Sequence, residues 1–180
     1  MLFPIMAASA IAIAATATGV APAPDQAAAP APTLVFAFSA EVTLAPPIEQ
    51  GVVDGRRLRF VPITGGRVYG PRLQGSVVSG GGDWQAIGTD GLTEVSARYT
   101  LKATDGTVID VVNTGVRTAT AAVTQAIANG ETVDPGAYYF RTSPRFTVTA
   151  GPHERLRRTM FVARGVRLPD RVVIDFYTIL

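Results

Sequence analysis

Ile63–Gly91, ITGGRVYGPRLQGSVVSGGGDWQAIGTDG, decides the fold. Glycine takes backbone angles closed to other residues, so its clusters mark tight turns, bulges and close backbone approaches. Gly65-Gly66 follows the strand-like run Leu58–Ile63 and reads as a turn or bulge. Gly70-Pro71 is a second break, because Pro71 fixes φ and removes an amide donor. Leu73, Gly75 and Val77 alternate with Arg72, Gln74 and Ser76, which is strand period, and Gly80-Gly81-Gly82 ends that strand. Asp90-Gly91 signals a hairpin. A dinucleotide-binding reading needs a strand, the glycines and then a helix whose N-terminus faces the phosphates. Here strands flank the glycines and no Gly-Lys-Ser/Thr follows, so turns and bulges are the better reading.

Strand patterns continue on both sides. Leu34, Phe36, Phe38, Ala40, Val42 and Leu44 alternate with more polar neighbours until Pro46-Pro47. Arg57–Ile63, Thr93–Lys102 and Thr107–Arg117 follow, the last two joined by an Asp105-Gly106 turn. Thr118–Asp134 breaks the period. It is small and Ala-rich, and Ala119–Ala128 fits a short helix closed by Asn129-Gly130, either a lid or a plain surface loop. Ala137–Thr149, with a break at Pro144, Thr159–Val166 and Arg171–Leu180 are the closing strands. The expectation is an all-β fold: a single closed antiparallel β-barrel of roughly eight strands with a short Ala-rich helical or loop insertion.

The ends and the composition bound the function. Residues 1–20 are apolar and uncharged and read as a signal peptide or N-terminal anchor. A cleaved signal is preferred over an uncleaved anchor or a wrongly chosen start codon, although no Lys or Arg precedes the apolar run. Residues 21–33, rich in Ala and Pro, read as a semi-extended linker, and 34–180 as the barrel domain. The expected location is periplasmic or secreted, with membrane contact only through the N-terminal segment. Sixteen basic residues, all but Lys102 arginines, face fourteen acids, too small a surplus for a nucleic-acid binder. There is no cysteine, which excludes disulfides and thiol chemistry, and the single histidine, His153, argues against a zinc centre. No metal or other cofactor is expected. His153 lies in the charged run HERLRR and reads as a solvated loop residue rather than a triad member. That run, with Arg155, Arg157 and Arg158, is a basic surface loop by default. The oligomeric state is open, a homo-oligomer being one option.

An ordered set of motifs then carries a family resemblance. These are Ile63-Thr64-Gly65-Gly66, Gly70-Pro71-Arg72-Leu73-x-Gly75, Gly80-Gly81-Gly82-Asp83-Trp84, Asp90-Gly91 and Ala97-Arg98-Tyr99-Thr100-Leu101. Asp105-Gly106, Asn113-x-Gly115-x-Arg117 and Tyr139-Phe140-Arg141-Thr142-x-Pro144-Arg145-Phe146 complete it. The sequence resembles domain-of-unknown-function family 3237, also called uncharacterised protein family 0311, from about Leu34 to Leu180. The resemblance implies a small antiparallel β-barrel and no established activity. Two positions depart from the family's common pattern: Ser96 stands where an acid is usual, and Arg155-Leu156-Arg157 where Trp-Leu-Asn is usual.

Alternation along barrel strands supplies candidate site residues. Val95, Ala97 and Tyr99 are expected to face in, as are Asn113 and Arg117 on the next strand, and Tyr139 and Arg141 on the one after. Tyr99, Asn113, Arg117 and Arg141 then converge inside the barrel, with Asp83 and Trp84 at a turn on its rim. Guanidinium groups hold oxyanions, and a phenol or carboxylate moves protons when burial tunes it. The first functional reading is a protein that binds a small anionic or aromatic molecule through Trp84, Asn113, Arg117 and Arg141. The alternative is a cofactor-free isomerase, lyase or cyclase in which arginines stabilise negative charge and Asp83 or Tyr99 is catalytic. The structural alternative pairs each buried arginine with Asp83, Asp110 or Asp175 and uses Trp84 as a core plug.

Overall fold

Residues 30–180 are described by the structure, a computed structural model; the leader read at 1–20 and most of the Ala/Pro segment lie outside the described residues. Ten strands follow in chain order: β1 (Leu34–Leu44), β2 (Ile48–Val53), β3 (Arg56–Tyr69), β4 (Gly75–Val77), β5 (Gly82–Ile87), β6 (Leu92–Ala103), β7 (Val108–Thr118), β8 (Tyr139–Thr147), β9 (Phe161–Arg167) and β10 (Arg171–Ile179). Two short helices interrupt them, α1 (Ala121–Ala128) and α2 (Arg155–Arg158). All strand pairs are antiparallel, and they run β1-β10-β9-β8-β7-β6 and on to β3, which returns to β1 and closes the sheet. Ten strands fill eight positions around the barrel. The long strand β3 explains the difference. One of its edges takes β2 and then β1, and its other edge takes β5 and then β4.

The glycines act where two of those joins bend. At Gly66 (φ +142°) an added Cβ would sit 2.0 Å from the Glu41 carbonyl oxygen of β1. Beside it the β1–β3 register skips Thr64, so the expected bulge is present. Gly80-Gly81 divides β4 from β5, which continue along the same two neighbours. A Cβ on Gly81 would meet the Arg98 carbonyl oxygen at 2.2 Å. A second bulge, at Ala37, changes the inward parity of β1. Phe38 and Ala40 face the core, whereas Phe36 turns outward against Tyr177. Pro144 does not break its strand. It is buried within β8, beyond the short β8–β9 ladder at Arg141 and Thr142, where its missing N–H interrupts no pairing on that edge.

The barrel has a filled half and a hollow half. Phe38 stacks on Phe176 with centroids 4.6 Å apart, and Phe146 meets Phe161 edge-on at 5.0 Å. Ile109, Val111, Leu101 and Leu156 of α2 complete this cluster. Each such side chain contributes about 1.5–3 kcal/mol through removal from water. A smaller cluster of Val95, Ile127, Tyr138 and Phe140 lies towards the other end. There α1 follows β7. Thr120 caps it by accepting from the Val123 amide at 3.3 Å, and Asn129-Gly130 ends it. Ile127 is the one buried residue of the helix, and it pins α1 onto that end.

Candidate functional site

Reading β6 and β7 lengthwise shows how the site is placed. On β7 the inward positions run Ile109, Val111, Asn113 and Arg117, from the filled half to the end where α1 begins. On β6 they run Ala103, Leu101, Tyr99, Ala97, Val95 and Thr93 in the same direction. β7 thus passes from apolar to polar along one face, while the same face of β6 stays apolar apart from Tyr99 and Thr93. The polar half encloses a cavity of about 510 Å³. Arg59, Asp83, Gln85, Tyr99, Asn113 and Arg117 line it, together with Thr142 and Arg167. Val42, Val61, Ile63, Ala97, Val172 and Ile174 supply apolar wall, and Ile127 to Gly130 of the α1 segment close over it.

Arg117 is 2% exposed, and its side chain makes no hydrogen bond or ion pair among the described residues. Burial, and then the charges of Arg59 and Arg167, lower its pKa to about 10. Arg59 donates from Nε to Gln85 Oε1 at 2.8 Å, and Gln85 donates in turn to Asp83 Oδ2. The Ser96 amide donates to Asp83 Oδ1 at 2.9 Å. Despite these bonds and the attraction of Arg117 and Arg59, burial dominates and raises the Asp83 carboxyl to about 6. Burial also pushes the Tyr99 phenol up. The Tyr99 hydroxyl and Asn113 Oδ1 have no partner meeting normal hydrogen-bond geometry, although Asn113 lies close enough to moderate that rise. Arg167 is held by its own turn, donating to the carbonyl oxygens of Leu168 and, at 2.9 Å, Arg171. Burial, and then Arg59, lower its pKa as well.

The structure brings together four of the six expected residues: Asp83, Tyr99, Asn113 and Arg117. The other two point away. Arg141 is exposed, lies over the outward ring of Tyr139 at 5.0 Å and donates to the Phe140 carbonyl. Phe140, Thr142 and Phe146 hold the inward parity of β8, opposite to the face expected for Tyr139 and Arg141. The signal was available: Phe140, Pro144 and Phe146 are the apolar set, and the Tyr-x-Arg pair alternates against it. Trp84 is neither rim nor plug. It is 46% exposed on the outer face of β5, packed on Phe60 with centroids 4.8 Å apart. Asp83 sits within β5 rather than at a turn, because the break falls before Gly82.

Arg59, Gln85, Thr142 and Arg167 are additions to the expected set. Arg59 shares inward parity with Val61 and Ile63, and Gln85 with Asp83, so period 2 alone marks both. Arg167, the last residue of β9, shares parity with Phe161, Ala163 and Gly165 and carries the same mark. The anticipated pairing of buried arginine with Asp110 or Asp175 does not occur. Asp110 pairs with Arg98 at 3.2 Å and Asp175 with Arg164 at 2.8 Å, both towards solvent. His153 pairs with Asp105 at 3.1 Å, at the β6–β7 turn beyond the filled half. Arg157 and Arg158 both bond Glu154, and the Ser96 side chain is exposed on the outer face, so neither departure from the common family pattern places a side chain in the cavity wall, although the Ser96 amide bonds Asp83.

The profile of the family described as Protein of unknown function (DUF3237) matches residues 32–179. The chain belongs to this family. A UPF0311 protein of Clostridium acetobutylicum is 40% identical over 144 residues, which cover 79% of this chain and 90% of that protein. A crystal structure of a family member of unknown function from Rhodopseudomonas palustris superposes with a TM-score of 0.81. It is 33% identical, and the match covers 84% of this chain and all of that one. A β-barrel-like protein from Acinetobacter baumannii, also 33% identical, gives 0.75 over 86% of this chain and 100% of that one. These likenesses fix the family and the barrel.

Proposed function

We propose that this family member binds a small anionic molecule in the hollow half of its barrel. The observation that carries the reading is Arg117, a buried guanidinium without a counter-charge in contact, on the wall of a cavity large enough for a small ligand. An uncompensated buried charge costs several kcal/mol, and an anion in the cavity offsets much of that cost. Thermal denaturation with and without millimolar benzoate, on the wild type and Arg117→Met, tests it. The wild type melts higher with benzoate, since a ligand that prefers the folded state stabilises it. Arg117→Met melts higher than the wild type without ligand and does not respond to benzoate. A variant that is destabilised yet keeps the benzoate shift overturns the reading.

A second reading, proton-transfer catalysis without a cofactor, is favoured by Asp83. A carboxyl held near 6 is poised as a general base close to neutral pH, and Arg117 is placed to stabilise negative charge on a bound substrate. Deuterium exchange at the C3 methylene of a 3-aryl-2-oxopropanoate, followed by NMR, separates the two readings. Exchange lost in Asp83→Asn favours the enzyme, and no exchange above buffer favours the binding protein. The apolar segment 1–20 supports a place of action in the periplasm or outside the cell. N-terminal sequencing of protein recovered from the periplasmic fraction checks that point.

A further inference from the structure

We infer that the occupant is an amphiphilic organic acid held body-first, its apolar body on the inner floor of the cavity and its oxyanion head at the arginines beneath α1. This rests on the anion-binding reading above and adds the ligand's shape and direction. Depth in the barrel sorts the lining. Arg117 is the penultimate residue of β7, just before the segment that leads into α1, and Arg167 is the last residue of β9. Arg117 is level with Thr93 across the β6–β7 ladder, and Arg59, through Gln85, is level with Val95, one inward step deeper. The cations therefore gather towards the mouth. Further in, the wall is Val42, Val61, Ile63, Ala97 and Ile174, with Tyr99, Asn113 and Asp83, which is level with Val61 and Ala97. Charge along this wall is unbalanced. Three arginines face one inward carboxylate, Asp83, which Gln85 and Ser96 already engage. The cavity's other acid, Asp170, is mostly exposed at the rim and pairs with Arg171 at 2.9 Å. An inorganic anion satisfies the guanidinium groups but leaves the apolar part of the floor, Val42, Val61, Ile63, Ala97 and Ile174, to water, whose hydrogen-bond partners there are confined to Asp83, Tyr99 and Asn113. An apolar molecule without a head fills the floor and leaves Arg117 unpaired. An acid with an apolar body of moderate size meets both requirements, and guanidinium forks suit its planar head.

Isothermal titration of the whole chain with the straight alkanoates from butanoate to octanoate, the matching alcohols and inorganic phosphate tests the assignment. Affinity rises roughly three- to fourfold per methylene as the floor fills. Alcohols of equal length bind at least tenfold more weakly, and inorganic phosphate at the same concentration gives no heat. Arg117→Met weakens every acid by a similar factor and leaves the per-methylene gain intact, since head and body bind separate regions. A flat acid series, or phosphate binding as tightly as octanoate, overturns the body-first assignment while anion binding stands. Alcohols that bind as tightly as acids, or no binding in any arm, overturn anion binding as well. The acid-to-alcohol comparison uses the unmodified protein, so it holds even if the variant misfolds.

Discussion

Asp83 shows how one side chain can be tuned by its place on a strand. Its two oxygens accept from Gln85 and the Ser96 amide, which alone would depress a carboxyl pKa, and Arg59 and Arg117 pull the same way. Removal from water outweighs all four and leaves it near 6, against an ordinary value of 3.8. An acid whose folded pKa is raised contributes stability that is complete below its unfolded pKa and lost as pH rises through its folded one. The folded protein should therefore lose about 3 kcal/mol from this group between roughly pH 4 and 7. Asp83→Asn, which cannot ionise, should flatten the dependence of Tm on pH in that window and melt no lower than the wild type at pH 7.5. A pH profile unchanged by the substitution would place the titration elsewhere.

Among the elements, the β4–β5 break has a geometry that depends on side-chain absence. Gly80 and Gly81 are adjacent and both have positive φ, yet their surroundings differ. Nothing lies within 4 Å of a Cβ on Gly80, while one on Gly81 would strike the Arg98 carbonyl of β6. Gly80→Ala should cost about 1–2 kcal/mol, the backbone penalty alone. Gly81→Ala must also push the chain away from β6 and should cost more than about 4 kcal/mol or prevent folding. Chemical denaturation of the two variants makes the comparison, and equal losses would show that steric contact with β6 does not hold this turn. The break also bears on the site. It inserts two residues against β6 between the pairs Val77 with Leu101 and Gly82 with Arg98, an even number, so Asp83 and Gln85 keep the inward parity of Val77 and Trp84 faces out.

At the scale of the whole molecule, stability and site occupy opposite halves of one barrel. The aromatic half has no room to spare: Phe38, Phe146, Phe161 and Phe176 touch one another across the axis. The hollow half forgoes that packing to keep a cavity of about 510 Å³. Truncation should therefore be expensive at one end and cheap at the other. Phe176→Ala should cost about 3–5 kcal/mol, since it opens a void among packed rings. Val61→Ala, on the cavity wall, should cost nearer ~1 kcal/mol, because its side chain already lacks neighbours on one side. Urea denaturation at one pH compares them, and equal costs would mean that the cavity half is packed as tightly as the other.

The sequence by itself determined the closed antiparallel barrel and most of its strands and turns, while β2 and β5 fell outside the expected strands. Period-2 alternation and glycine punctuation act within a few residues and need no distant partner, and α1 was legible for the same reason in its Ala run and Asn129-Gly130 stop. The inward placement of Tyr99, Asn113 and Arg117 followed from parity with their apolar neighbours. Tertiary structure alone decided the rest. A bulge at Ala37 changed the parity of β1. Above all, only sheet closure brings Arg59, Arg117 and Arg167 around one space, because they lie on β3, β7 and β9. Their shared field depends on distance across the barrel, and no local pattern in the chain encodes that.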